Sequence, residues 1–211
     1  YSLNSKLFSV SDCQKIIKKA IVERLKSVYG IEWFAETAET YQIQFSIMKD
    51  VVSLCIDTSG EGLHKRGYRP AHNAAPLKET MAAAMVSLSR YRGREDFCDP
   101  FCGSGTIPIE AALIAKNRAP GLHRDFSAMR WRSLDKSVWQ LEREEAVWRE
   151  FNGNYNIIGT DIDPTALDIA RENAARAGVS DIVRFEKADA TRFDRVTENG
   201  IIVTNPPYGE R

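Results

Sequence analysis

The sequence predicts an α/β protein in which a parallel sheet flanked by helices follows a smaller α+β unit. After residue 77, short apolar segments alternate with helical segments, which is typical of parallel strands joined by crossover helices. Before residue 57, one amphipathic helix precedes two segments in which apolar and polar residues alternate. Residues 57–62 (DTSGEG) have the composition of a flexible connector, so we expect two units that divide near residue 60.

The composition of the 211-residue chain fits folded domains, with 43% hydrophobic and 27% charged residues. The net charge is zero, so nucleic acid could be bound only through local basic patches. The sequence contains no run of 18 or more apolar residues, so no membrane span is predicted. The first ten residues do not resemble a secretory signal. The four scattered cysteines fit a reducing compartment, and we therefore expect a cytoplasmic protein.

In the first unit, the apolar periodicity predicts a helix over residues 11–29, with Ser11 as its N-cap and Gly30 ending it. The alternation over residues 41–47 and 51–56 predicts a β-hairpin. In the second unit, the pattern predicts helices over 77–91, 107–117, 136–151 and 164–177, and strands over 96–99, 157–161, 182–185 and 201–204.

The first candidate site is the turn 99–105 (DPFCGSG), which joins a predicted strand to a predicted helix. Gly103 and Gly105 let the backbone approach a ligand, and the helix N-terminus offers free N–H groups. The spacing is not the Gly-x-Gly-x-x-Gly of a pyrophosphate site. Asp99 would repel phosphate but suits an ammonium group such as that of S-adenosylmethionine; an ordinary tight turn is the alternative. The pair of cysteines at 98 and 102 has no partner pair, so no metal site is expected.

Acidic residues also follow the second and third predicted strands. We expect Asp161 to accept the ribose hydroxyls of a nucleoside cofactor and Asp163 to cap the next helix, although both could simply be caps. Asp189 could accept the adenine amino group, or it could be a solvated turn residue. The distance in sequence from Gly105 to Asp161 exceeds the ~20 residues of a dinucleotide fold, so residues 118–156 are predicted to be an insertion or a helical excursion.

The segment Asn205-Pro206-Pro207-Tyr208 follows the fourth predicted strand. The two prolines hold the backbone extended, which presents the amide and the ring in a fixed geometry. The Asn205 side-chain oxygen and the Pro206 carbonyl can accept both hydrogens of an exocyclic amine on guanine or adenine. Tyr208 can stack on the base, which stabilises binding by roughly 1–3 kcal/mol. A Pro-Pro turn with a packing tyrosine is the alternative. Parallel strands place all four candidate segments at one sheet edge.

The order DPFCGSG, GTDID, KADA and NPPYGER resembles that of class I S-adenosylmethionine-dependent methyltransferases acting on amino groups. More narrowly, the chain is similar to the UPF0020 RNA methylases joined to a THUMP domain, which include bacterial 23S rRNA guanine-N2 methyltransferases. The segments LHKRGYR (63–69) and APLKE (75–79) match that family's linker signature, and residues 1–60 resemble the latter part of a THUMP domain, an RNA-binding module. Many proteins of this type are labelled N6-adenine DNA methylases.

The resemblance implies a Rossmann-like methyltransferase domain over 77–211, preceded by a partial THUMP-like domain over 1–60 and a linker over 61–76. Because only the first four of the family's seven strands are present, we expect a C-terminally truncated domain. The implied cofactor is S-adenosylmethionine. The implied cofactor-binding residues are Asp99, Phe101, Gly103, Ser104, Gly105, Asp161, Ile162 and Asp189, and the implied catalytic residues are Asn205, Pro206, Pro207 and Tyr208.

A local basic patch favours RNA as the partner. Residues 61–94 contain seven lysines and arginines against two acids, and we expect Lys65, Arg66 and Arg69 to contact phosphates, with a solvated charged surface as the alternative. The resemblance predicts methylation of guanine N2 in 23S rRNA. The alternatives are adenine N6 in DNA, guanine N2 in tRNA, and a module that binds RNA without catalysis. No membrane partner and no metal are expected, and the sequence does not predict the oligomeric state.

Overall fold

The computed structural model describes residues 1–36, 39–70, 77–193, 197 and 199–209. These residues form two units: residues 1–60 together with 126–134 make the first, and residues 61–125 together with 135–211 make the second. Part of the predicted linker, including the first two residues of APLKE, lies outside the described residues. The last two residues of NPPYGER also lie outside them.

The first unit contains α1 (Val10–Tyr29) and a three-stranded sheet in the order β1 (Ser2–Leu3), β2 (Gln42–Met48) and β3 (Val51–Asp57). The prediction of Ser11 as N-cap is wrong, because the helix starts one residue earlier and the Ser9 side chain accepts the Asp12 N–H instead. Gly30 ends the helix in the left-handed conformation, as predicted.

The predicted hairpin is confirmed, since β2 and β3 pair antiparallel from Gln42 with Asp57 to Met48 with Val51. The two turn residues, Lys49 and Asp50, both have positive φ, which is the geometry whose twist matches that of the flanking strands.

A segment from the middle of the chain completes the first unit. It contains the short 3-10 helix Ser127–Arg130, followed by Trp131, whose ring stacks on Tyr41 at a centroid distance of 4.7 Å. The indole N–H of Trp131 donates to the carbonyl of Thr40, and the side chain is buried. The predicted excursion between residues 118 and 156 is therefore present, but its return to the first unit was not predicted.

The second unit is built on a parallel sheet. Its strands are β4 (Asp96–Asp99), β5 (Ile157–Asp161), β6 (Val183–Lys187) and β7 (Gly200–Ile202), arranged in the order β6-β5-β4-β7. All three strand pairs are parallel. Along the chain, β5 is added beside β4 and β6 beside β5, and β7 is then added on the opposite side of β4. The strand order therefore reverses between β4 and β7, and ligands of open α/β sheets bind at such a reversal.

Helices cover one face of this sheet. The described residues of the second unit include the helices α2 (Glu79–Leu88), α3 (Thr106–Ala115), α4 (Lys136–Trp148) and α5 (Pro164–Ala177). α3 packs on β4 and β5, α5 packs on β5 and β6, and α2 packs on α3. Large apolar side chains such as Phe97, Ile157 and Phe185 are buried beneath them. Three helices end two or three residues earlier than predicted. α2 and α3 end there because Arg90 and Asn117 have positive φ, which an α-helix cannot continue, and α4 ends at Trp148 instead of residue 151.

Candidate functional site

The turn between β4 and α3 is held in a fixed shape by its glycines. Gly105 has a φ of 81°, and a Cβ on it would lie 2.9 Å from both the Ala170 Cβ and the Phe185 ring. Gly103 also has a positive φ of 51°, but a Cβ there would meet no atom within 4 Å. Gly105 is therefore required by packing beneath the turn, whereas Gly103 faces open space into which a ligand could fit.

Hydrogen bonds from neighbouring strands and helices anchor the same turn. The Gly103 N–H donates to the Asp161 carboxylate at 2.8 Å, and the Cys102 N–H donates to the Thr160 carbonyl at 2.9 Å. Asn173 of α5, which is fully buried, donates its amide N–H to the Ser104 carbonyl at 3.0 Å. Asn173 was missed by the sequence analysis, because a polar residue inside an amphipathic helix gives no signal that it reaches a turn 69 residues away.

Asp99 is the buried acid of the site, with 1% of its surface exposed. Its Oδ1 accepts the Thr204 hydroxyl at 2.7 Å and the Phe101 N–H at 3.1 Å. Burial raises the pKa of Asp99 to about 6, against the lowering effect of these two hydrogen bonds. A carboxylate held this way keeps its Oδ2 for a cationic ligand group.

Asp161 and Asp163 make different hydrogen bonds at the end of β5. Asp163 caps α5, accepting the Thr165 N–H at 2.9 Å, and this prediction is confirmed. Asp161 accepts the N–H groups of Gly103 and Asp163, one on each oxygen. Because a carboxylate has about four acceptor positions, two remain for ribose hydroxyls. Ile162 between the two acids is 65% exposed and presents an apolar surface at the same edge.

Asp189 lies at the end of β6 and is exposed. It caps the short 3-10 helix Ala190–Arg192, and its Oδ1 accepts both the N–H and the hydroxyl of Thr191. These bonds hold the pKa of Asp189 below its usual value. Asp189 also lines a cavity of about 450 Å³ with Cys98, Ile158 and Ile202, but Asp99, Gly103, Asp161 and Asn205 do not line it, so this cavity is distinct from the edge where the candidate residues lie.

Residues 205–208 follow β7, which lies on the other side of β4. Tyr208 is 84% exposed, and its hydroxyl donates to the Asn205 side-chain oxygen at 3.0 Å. Pro206 and Pro207 are exposed. Thr204, which immediately precedes Asn205, is the residue that bonds to Asp99. The sheet therefore presents Asp189, Asp161, Asp99 and Asn205 in that order along one edge.

Arg66 and Arg69 were predicted to contact RNA phosphates, but the structure gives them a different role. Arg66 pairs with Glu110 of α3 at 3.4 Å, and Arg69 pairs with Glu79 of α2 at 3.0 Å. The two arginine side chains are only 12% and 7% exposed. They pair with buried carboxylates, and Arg69 also donates to the Leu77 carbonyl, so their predicted contact with phosphates conflicts with their position. Lys65 is exposed and pairs with Glu61.

The pair Glu110 and Tyr68 completes this buried network, which the sequence analysis did not foresee. The Tyr68 hydroxyl donates to Glu110 at 3.1 Å, and both side chains are buried. Burial raises the pKa of Glu110 and of Tyr68. The sequence alone does not show whether the arginines of such a segment are exposed or buried. Here they are buried because Glu110 and Glu79 face them.

Cys98 is partly buried and Cys102 is buried. Burial raises the pKa of the Cys98 thiol to about 11 and also raises the pKa of Cys102, so both stay protonated at neutral pH. Within the part of the chain that the structure describes, no three His, Cys, Asp or Glu side chains are grouped to hold a metal ion. No helix in that part is long and apolar enough to cross a membrane.

Comparison with known proteins identifies the family. Residues 66–211 match the model of the UPF0020 "RMKL-like, methyltransferase domain", and residues 2–57 match the THUMP domain. The chain belongs to the UPF0020 family. The predicted family and the predicted fold class, a Rossmann-like class I methyltransferase sheet after a THUMP domain, are thus confirmed.

Individual relatives agree with this assignment. The chain is 47% identical over its whole length to "Putative RNA methyltransferase YpsC" of Bacillus subtilis, covering 55% of that protein. It is 40% identical over 92% of its length to "Ribosomal RNA large subunit methyltransferase K/L" of Shewanella baltica, covering 28% of that protein. The chain thus spans about half, or less, of the length of these curated relatives.

Two solved structures share the fold over the whole chain. One is described as a predicted N6-adenine-specific DNA methylase from Listeria monocytogenes, with 49% identity, a TM-score of 0.93 and 56% of that chain covered. The other is described as "SMU.472, a putative methyltransferase complexed with SAH", with 39% identity, a TM-score of 0.88 and 56% of that chain covered. These likenesses extend to both units of the present chain.

Proposed function

We propose that this protein is an S-adenosylmethionine-dependent methyltransferase of the cytoplasm that methylates guanine N2 in 23S rRNA. The observation that carries the proposal is the single sheet edge that brings Asp99, Asp161 and Asn205 together at the reversal of strand order. The SAH-bound neighbour and the relative named for ribosomal RNA support the cofactor and the RNA substrate. When bound, S-adenosylmethionine supplies a methyl group attached to a sulfonium.

The chain's own residues fit such a cofactor. Asp161 has two unused acceptor positions for the ribose hydroxyls, and the exposed Asp189 suits the adenine amino group. The buried Asp99 carboxylate, with no basic side chain among its described hydrogen-bond partners, suits the ammonium group. The open space over Gly103 leaves room for the methionyl part.

Asn205 and Tyr208 would prepare the substrate amine. The lone pair of an exocyclic amine is delocalised into the base, which makes the nitrogen a poor nucleophile. If Asn205 and the Pro206 carbonyl accept its two hydrogens, the nitrogen moves toward tetrahedral geometry and its lone pair becomes available. Tyr208, which now donates to Asn205, would release that bond and stack on the base. After transfer the nitrogen carries positive charge, so its proton is acidic and passes to solvent without a strong base.

The experiment is methyl transfer from labelled S-adenosylmethionine into 23S rRNA, tRNA and duplex DNA, followed by mass mapping of the modified nucleoside. We expect N2-methylguanosine in 23S rRNA, and its loss in Asn205→Ala. N6-methyladenine in DNA would instead favour the activity for which the Listeria relative is named, because both amines offer the same two hydrogens. Cofactor binding without transfer to any of the three would favour a non-catalytic RNA-binding module.

A further inference from the structure

A side-chain hydrogen bond links the two halves of the proposed site. The Thr204 hydroxyl donates to Asp99 Oδ1 at 2.7 Å across 105 residues of sequence. The backbone ladder between β4 and β7 ends just before this point, with Cys98 opposite Ile202 and the Val203 N–H donating to the Cys98 carbonyl. The hydroxyl therefore extends the connection between the strands beyond the last backbone contact.

The two bonded residues each open a functional segment. Asp99 is the first residue of the Gly-rich turn, and Thr204 immediately precedes Asn205. We propose that Thr204 is a positioning residue that fixes Asn205 relative to the cofactor turn through its bond to Asp99. This inference rests on the proposed function, since it assigns the bond a role in aligning methyl donor and acceptor.

The chemistry of the pair favours this role. An O–H donor to an ionised carboxylate makes a short bond that is roughly twice as strong as one between neutral groups. Asp99 is almost fully buried, and the charge of Asp161 adds to the effect of burial in raising its pKa. Asp99 in turn raises the pKa of the neighbouring Cys98 and Cys102 thiols, and none of these three groups is cationic. Thr204 and the Phe101 N–H are the donors that its Oδ1 has among the described residues. Loss of the hydroxyl would therefore release Asn205 and also disfavour the ionised form of Asp99.

A simple structural tie is the competing explanation, and the choice of variants separates the two. Thr204→Val removes the hydroxyl at nearly constant volume, whereas Thr204→Ser keeps the donor and loses only a methyl group. Thr80→Val on the exposed surface of α2 is the matched control for a threonine-to-valine change. A structural tie would lower stability in Thr204→Val but leave kcat unchanged in the folded protein.

The test measures kcat and the KM for RNA, together with the SAH dissociation constant between pH 5.5 and 8.5. We expect Thr204→Val to lower kcat by roughly 10- to 100-fold with little change in the KM for RNA, as for loss of a charge-assisted bond. In Thr204→Val, SAH affinity should begin to fall at a higher pH than in the wild type, because Asp99 is protonated more readily without the hydroxyl. Thr204→Ser should lie within about threefold of the wild type, and Thr80→Val should equal it.

A folded Thr204→Val with wild-type kcat and an unshifted pH profile would overturn the inference. If Thr204→Val does not fold, Thr204→Ala against Thr204→Ser gives the same comparison. Absence of SAH binding and methyl transfer in the wild type would refute the proposed function itself, which is a different outcome from equal activity of the valine and serine variants.

Discussion

The buried acid Asp99 makes a prediction about stability that can be worked out from its pKa. Its folded-state pKa of about 6 lies above its ordinary value of 3.8. An acid whose pKa is higher in the folded protein than in the unfolded chain makes its full contribution to stability only below the unfolded-state pKa. This contribution to stability is lost as the pH rises through the folded-state pKa. Asp99 should therefore destabilise the protein at neutral pH, where its carboxylate is ionised and buried.

Asp99→Asn removes this titration and keeps the local bonds. Both observed donors, Thr204 and Phe101, bond to Oδ1, which an asparagine also provides. Each unit of difference between the folded-state and unfolded-state pKa values changes the unfolding free energy by about 1.4 kcal/mol. The variant should therefore exceed the wild type in unfolding free energy by about 1 kcal/mol at pH 4.5 and about 3 kcal/mol at pH 7.5. It should also bind SAH more weakly, because the ammonium group loses its partner charge.

The assay is urea denaturation of both proteins at the two pH values, with SAH calorimetry at pH 7.5. Asp168→Asn is the control, because Asp168 is an exposed acid in a surface ion pair with Arg171, and it should change stability by less than about 0.5 kcal/mol at either pH. A stability difference for Asp99→Asn that does not grow with pH would refute the reasoning, as would a variant less stable than the wild type at pH 7.5.

Three pairs of substitutions test other parts of the structure. Tyr208→Phe keeps the ring and should retain kcat/KM for RNA within about threefold, whereas Tyr208→Ala should lose roughly 10- to 100-fold; equal losses would argue against stacking. Lys65→Ala should weaken RNA binding and reduce the slope of log affinity against log salt concentration by about one. Arg66→Ala should instead lower stability by about 3–5 kcal/mol, because it leaves the buried Glu110 carboxylate without its cation. RNA-binding and denaturation titrations of both variants test this, and a stability loss in Lys65→Ala with none in Arg66→Ala would contradict it. Gly105→Ala should destabilise the protein by about 2–4 kcal/mol through its clash and its positive φ, against about 1 kcal/mol for Gly103→Ala, and similar thermal shifts for both would contradict the packing argument.

Much of the fold could be predicted because its signals are local. The strands 96–99 and 157–161 and the helix 164–177 have the bounds that the pattern indicated, since each strand ends at an aspartate before a turn and the helix begins at a proline and ends before Gly178. The capping role of Asp163 was equally local. The return of residues 126–134 to the first unit could not be predicted, because it depends on stacking between Trp131 and Tyr41, which are 90 positions apart in the sequence.

The site was predictable in its motifs but not in its connections. Parallel strands place the acids and Asn205 at one edge, and this follows from the order of the motifs alone. The bond from Thr204 to Asp99 and the buried pairing of Arg66 with Glu110 depend on the register between distant strands and helices. For this reason a basic segment in the sequence was interpreted as an RNA contact, although facing glutamates neutralise two of its arginines.

The central claim is that this sheet edge holds S-adenosylmethionine, and calorimetry with S-adenosylmethionine and SAH tests it most directly. We expect one molecule bound per chain in the wild type and in Asp168→Ala, and no measurable binding in Asp161→Ala, which loses the acceptors for ribose and for the Gly103 N–H. Absence of binding in the wild type, or unchanged affinity in a folded Asp161→Ala, would contradict the claim.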